Sequence, residues 1–218
     1  MVKRTTTNYI KNILEKNSDW NVIDIASSNC GWHYANIFTD ITDYSEFYHR
    51  KYGGTKKFIQ MNCEEKFPFE DNEFDFVIAS HVLEHVHDPI HFCKELCRIG
   101  KRGYIEVPTP FWDNLTEGPY DLANNPLGHK SWVTFDDEYN KIVFNKKLEI
   151  FKKVLSTREY QSLVIFFSNS ALVKLYWENN IECELGNNRY EYNNNRDVDL
   201  KFDANLYRVD PRILGSWS

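Results

Sequence analysis

No apolar run in this 218-residue chain approaches the ~20 residues that cross a bilayer. Its opening, MVKRTTTNYIKNILEKN, also lacks the apolar stretch of a secretion signal. The expectation is a soluble, cytoplasmic protein with no membrane association. Basic residues are outnumbered, 26 Lys and Arg against 32 Asp and Glu, for a net charge of −6. There is no Lys/Arg run and no RNA-binding signature. A phosphate backbone selects a basic surface, so nucleic acid is not the expected partner. The five cysteines (Cys30, Cys63, Cys93, Cys97 and Cys183) are odd in number and scattered, which fits no small disulfide framework. Cys93 and Cys97 lie one helical turn apart, downstream of His85, His87 and His91. A zinc cluster there is conceivable, but two half-buried thiols on a helix face explain the spacing better, and no metal ligand is assigned. Glycine is scarce too, at nine residues.

What is present is enough for a real core: 42% hydrophobic and 16% aromatic residues. The length suits one domain, 1–218, with an insertion at about 108–147. Its organising stretch is Trp20–Asp40. A strand at Trp20–Ala26 ends in the small residues Ala26-Ser27-Ser28-Asn29-Cys30-Gly31, and a second strand, Ile37–Ile41, carries Asp40. Only about ten residues separate them, which predicts a short or irregular crossover. A helix over 8–16, capped near Thr7, precedes them. Downstream come strands at Phe58–Met61 and Phe74–Ala79. A helix follows from the Asp88 cap and Pro89 to about Ile99, stopped by Gly100, and then a strand at Arg102–Val107. Such an order predicts a mostly parallel α/β sheet with its ligand site beyond the carboxyl ends of the strands.

From Pro108 to Lys130 the chain turns to Pro, Gly, Asn and aromatics, the composition of a long binding loop or lid. Trp132–Phe135 and Lys141–Phe144 read as a β-hairpin. Ser156-Thr157-Arg158-Glu159 has capping-box spacing for a helix. The segment ALVKLYWENNIECELG reads as two strands around an Asn179-Asn180 turn. The tail from Arg189 is expected to be irregular.

The block FPFEDNEFDFVIASHVLEHVHDP, with IGKRGYIEVP after it and VIDIASSNCG before it, resembles the class I S-adenosylmethionine-dependent methyltransferases. The likeness is to the methyltransferase type 11 group and covers about residues 20–110. It implies a Rossmann-like seven-stranded sheet whose last two strands form an antiparallel hairpin; the loop and β-hairpin at about 108–147 then fall after the fifth strand as a lid-like insertion. It also implies S-adenosyl-L-methionine as cofactor. Carried over by position, Asp24, Ala26, Ser27 and Ser28 would line the methionine end, and Asp40 would take the ribose hydroxyls. Asn62, Cys63 and Glu64 would contact adenine, and Ser80 and His81 would close the pocket. The family's DxGxGxG stands here as Asp24-Ile25-Ala26-Ser27-Ser28-Asn29-Cys30, and its adenine-region aspartate is replaced by Asn62 or Cys63.

Methyl transfer needs alignment, plus a base where the acceptor is a hydroxyl. His85 is the first candidate base; its alternative role is to cap the local turn. His129 is the second, its alternative an ordinary exposed loop histidine. Trp112, His129 and Trp132 are candidate substrate contacts, and Trp112, Tyr120 and Trp132 could build an aromatic wall or else the small core that holds the loop. His81-Val82-Leu83-Glu84-His85 also spells the inverted zinc-peptidase motif, which needs a helix that has no room here. Glu84 and His85 could instead hold a divalent metal, as a similar pair does in some small-molecule O-methyltransferases. The expected function is methylation of a hydroxyl or amine on a small molecule or sugar-type (glycan) acceptor. The alternative is a non-catalytic binding or regulatory protein on the same fold. The sequence does not determine the oligomeric state.

Overall fold

The structure is a computed structural model, and it describes residues 1–117, 128–147, 155–156 and 171–186. In chain order its elements are β1 (Val2–Arg4), α1 (Thr7–Lys16), β2 (Val22–Ile25), β3 (Ile37–Asp40), α2 (Ser45–Tyr52) and β4 (Lys57–Gln60). Next come β5 (Phe76–Ser80), α3 (Pro89–Ile99), β6 (Arg102–Pro108), α4 (Pro110–Leu115) and β7 (Thr116–Glu117). The last are β8 (Ser131–Asp136), β9 (Lys141–Lys146), β10 (Leu155–Ser156), β11 (Leu172–Glu178) and β12 (Cys183–Leu185).

Seven strands form one sheet in the order β1-β11-β6-β5-β2-β3-β4. The five from β6 to β4 are parallel, and β11 runs antiparallel to both its neighbours. Alternation along β5 shows why the strands are apolar throughout. Phe76 and Ile78 face a cluster with Ile10, Leu14 and Tyr48 from α1 and α2, while Val77 and Ala79 face Phe92 and Leu96 of α3. A parallel strand covered on both faces needs such a run. Order reverses at β2, with β3 on one side and β5 on the other, so the crevice for a ligand opens beyond the ends of these strands.

Helix α3 begins and ends where its sequence signals lie: Asp88 accepts from the His91 amide, Pro89 opens the first turn, and Gly100 closes it. The segment between β2 and β3 is helix-free, as its length requires. It is tied by Asn36, whose Oδ1 accepts from Val22 N and whose amide donates to Val22 O. Helix α2 was not expected. Its sequence, SEFYHRKY, has weak amphipathic order, but Phe47, Tyr48 and Tyr52 pack against Phe38 and Phe58, and Gly53 in a left-handed conformation ends it.

The expected hairpin of last strands requires correction. Strand β11 lies in the sheet, but the chain turns sharply at Asn179 (φ 63), buries Ile181, and sends β12 to pair in parallel with β9. β1 takes the seventh place instead, with Val2 opposite Trp177 and 1% exposed. Both strands are largely exposed, but β1 buries Val2 against the sheet whereas no residue of β12 itself is buried.

β8 and β9 do form the expected hairpin. Val133, Phe135, Ile142 and Phe144 belong to the same core cluster as Ile25 and Leu83, so the hairpin is a fixed wall rather than a swinging flap. The short parallel pair β7–β10 completes the described elements. The helix expected from Ser156, Tyr120 and the tail from Arg189 lie outside the described residues.

Candidate functional site

After β2 the backbone enters the turn where glycines were expected. Ala26 (φ 52) and Ser28 (φ 50) both hold the left-handed conformation that glycine would adopt without strain. The turn is fastened on three sides. Ala26 N donates to Thr39 Oγ1 and Ser27 N to Thr39 O on the neighbouring strand. The Tyr48 hydroxyl, from α2, donates to Ser28 O at 2.8 Å, accepts from Gly31 N at 3.1 Å and contacts Ser27 Oγ at 3.0 Å. Gly31 sits so close to Phe38 and Tyr48 that a Cβ there would lie 2.6 Å from both the Phe38 ring and the Tyr48 hydroxyl.

Asp24 lies beneath this turn, 2% exposed, and Oδ2 accepts from Trp32 N at 2.7 Å. Burial pushes its carboxyl up to about 7, against the lowering effect of that hydrogen bond. Asp40 ends β3. Its two oxygens accept from Ser28 N and Thr42 N, both at 2.9 Å. Each carboxylate oxygen has a second lone pair, so the group retains capacity for two further donors.

The remaining residues assigned to the cofactor are partly committed to local structure. Asn62 bonds Glu64 N and Glu65, while Glu64 holds the backbone and ring of His87. Cys63 is half-buried, and burial raises its thiol to about 11. Ser80 and His81 end β5, and His81 (φ 57) lies between two acids. Its ring nitrogens are 3.5 Å from Glu84 and 3.4 Å from Glu106. Burial disfavours the imidazolium, but Glu106 and Glu84 outweigh that and raise His81 to about 9. Glu106 is also bonded by Tyr104 and Ser80 and lies 3.6 Å from Lys174.

Residues 81–87 are turn rather than helix, as the zinc-peptidase argument required. They bring His85 beside His129, with ring centroids 4.6 Å apart at 76°. The Glu84 carbonyl accepts from Lys130 N and Ser131 N, which ties the start of β8 to this turn. Glu84 itself is 1% exposed. Its Oε1 lies 3.9 Å from His85 Nε2 and 4.0 Å from His129 Nε2, and neither carboxylate oxygen has a hydrogen bond. His129 Nδ1 is bound by Asp113 of α4, which in turn meets Lys147 at 3.2 Å. Burial raises the Asp113 carboxyl, but His129 and Lys147 hold it below the usual range.

His85 and His129 therefore meet, although they are 44 positions apart. Trp112 is half-buried on α4, one residue before Asp113. Trp132 is 2% exposed with its indole nitrogen unpartnered, so it is core rather than acceptor wall. Cys93 and Cys97 lie near Cys183 of β12, and among the described residues they join no histidine in a possible metal-ligand group. The sequence reading missed Glu106, Asp113 and Tyr48. Asp113 carried one signal, a lone acid directly after the aromatic-proline segment Pro108–Trp112.

Residues 23–105 match the family model described as a methyltransferase domain. No curated protein matches the sequence. Among solved structures, the YcgJ protein of Bacillus subtilis is similar at 20% identity and TM-score 0.40, over 52% of this chain and 54% of that one. A SAM-dependent methyltransferase from Aquifex aeolicus is similar at 14% identity and TM-score 0.42, over 78% and 87%. The putative methyltransferase solved in complex with the Haloferax volcanii Trm112 activator is similar at 12% identity and TM-score 0.49, over 78% and 88%. The chain thus spans about half the length of the first of these.

Proposed function

We infer that this chain, whose residues 23–105 match a methyltransferase-domain model, is an active S-adenosylmethionine-dependent enzyme methylating a hydroxyl of a small molecule or sugar-type acceptor. The observation that carries this is the turn after β2. Ala26 and Ser28 keep the left-handed backbone of the missing glycines, so the cradle shape persists without them. The cofactor, S-adenosylmethionine, supplies the methyl carbon when bound.

In this reading the Ala26–Ser28 turn borders the methionine end, and the spare lone pairs of Asp40 take the ribose hydroxyls. Asn62, Cys63 and Glu64 border the adenine, and Ser80 and His81 close the pocket. The acceptor enters from the side of His85, His129 and Trp112. A neutral amine can attack without help, whereas a hydroxyl must lose its proton. The histidine–carboxylate cluster beyond β5 is suited to the second case, with His85 as the group nearest the departing proton. A net charge of −6 favours a compact acceptor over nucleic acid.

A second reading, a binding protein without turnover, draws on Asp40, whose two oxygens already accept backbone amides. Calorimetric titration with S-adenosylmethionine separates the two. Binding that Asp40→Ala weakens at least tenfold supports the enzyme; no binding at millimolar cofactor would sink it.

A further inference from the structure

The geometry points to a divalent-cation site formed by Glu84, His85 and His129, with Asp113 positioning His129. We propose that it takes a first-row transition ion such as zinc, manganese or cobalt.

Three observations converge. First, Glu84 is a carboxylate 1% exposed with both oxygens free of hydrogen bonds. A buried carboxylate without such partners costs several kcal/mol unless charge faces it; the His81 imidazole at 3.5 Å meets Oε1 from one side, and a cation held between Glu84, His85 and His129 would meet it from the other. The His85 and His129 imidazoles stand at 3.9 and 4.0 Å, too far for hydrogen bonds to it.

Second, one donor atom from each of Glu84, His85 and His129 lies within 4.8 Å of the others. Bonds of ~2.1 Å in a tetrahedral arrangement separate ligand atoms by ~3.4 Å, so the two Glu84–imidazole distances, 3.9 and 4.0 Å, need to close by about half an ångström.

Third, Asp113 accepts from His129 Nδ1, which leaves the Nε2 lone pair toward Glu84. A carboxylate behind a histidine fixes the tautomer and ring orientation of a metal ligand, and it raises the ligand's basicity. Lys147 neutralises the other Asp113 oxygen, so this outer partner stays anionic although it is 3% exposed.

Two imidazoles and one carboxylate suit borderline first-row ions; magnesium and calcium prefer all-oxygen surroundings. Three protein ligands leave coordination positions open. An acceptor hydroxyl bound there would be polarised and would lose its proton more readily. His85 would then act through the ion rather than as the base. That role rests on the transferase reading, whereas the cation site does not.

The test is to titrate the full chain, stripped with chelator, with Co2+, following its visible ligand-field absorption and the heat of binding. Saturation at one equivalent is expected. Glu84→Gln, which keeps the side-chain volume, and His129→Gln should each weaken binding at least tenfold. Asp113→Asn should weaken it about 10- to 100-fold, and the exposed His33→Gln should leave it unchanged. Urea midpoints of the metal-free variants confirm that each is folded. Absence of saturable binding by the parent chain, or equal affinity in Glu84→Gln, overturns the site. S-adenosylmethionine is titrated into the same metal-free protein. Cation binding without cofactor binding refutes only the transferase; cofactor binding without cation binding refutes only this site.

Discussion

Replacing Asp24 with Asn should change how stability depends on pH more than it changes stability itself. Asp24 is 2% exposed and its carboxyl is raised from 3.8 to about 7 by burial. The folded chain therefore holds a proton that the unfolded chain releases, and stability falls as pH rises through that window. No penalty exists well below pH 3.8, and it levels off above about 7. With one pKa unit equal to about 1.4 kcal/mol, the cost is on the order of 2 kcal/mol at pH 5 and on the order of 4 kcal/mol at pH 8. Asn keeps an acceptor for the Trp32 amide but cannot ionise. The stability of Asp24→Asn relative to the parent should then rise by roughly 2–3 kcal/mol between pH 5 and pH 8. Urea unfolding of both proteins at several pH values in this range measures the gap directly, because other titrating groups cancel in the difference. If the two curves run parallel within about 0.5 kcal/mol, burial does not hold the Asp24 proton and the reasoning fails.

Ala26→Gly should stabilise the chain by about 0.5–1 kcal/mol, raising the melting temperature by roughly 2–4 °C, since it relieves a left-handed alanine. Ser28→Gly should be near neutral, because the same relief is offset by loss of the Ser28 Oγ bond to Tyr44; calorimetric melting of the pair checks the contrast. Tyr48→Phe removes a hydroxyl that contacts Ser27, Ser28 and Gly31, and should cost about 1–3 kcal/mol in urea unfolding. Deleting residues 1–4 uncovers the β11 edge and should produce concentration-dependent association in sedimentation velocity; a monodisperse monomer would refute the edge role of β1.

Helix α3 and the parallel strands were legible because their signals are local: a cap, a proline, a terminal glycine, and apolar runs bounded by turns. Helix α2 was not, because it depends on Phe38 and Phe58 of separate strands. Its local signs, the Asp43–Ser45 turn and the Glu46–Arg50 pair, are individually weak. The exchange of β12 for β1 was equally hidden. Three residues, two of them exposed, give Val2–Arg4 no strand pattern of its own. For the site, the HVLEH block identified Glu84 and His85, and His129 was nominated separately. Their meeting depends on backbone bonds from Lys130 and Ser131 to Glu84, which no spacing reveals.

The pairing of Val2 with Trp177 also constrains the order in which the molecule assembles. The parallel strands β2 to β6 lie within residues 22–108 and can find one another early. β1 emerges before any of them, yet its partner is made some 170 residues later. Closing a loop that long costs only slowly growing entropy, but contacts so distant in sequence slow the search. β1 is thus made before the sheet strands it joins, yet it can dock only after β11. Until β11 is in place, the growing chain carries a free sheet edge on β6.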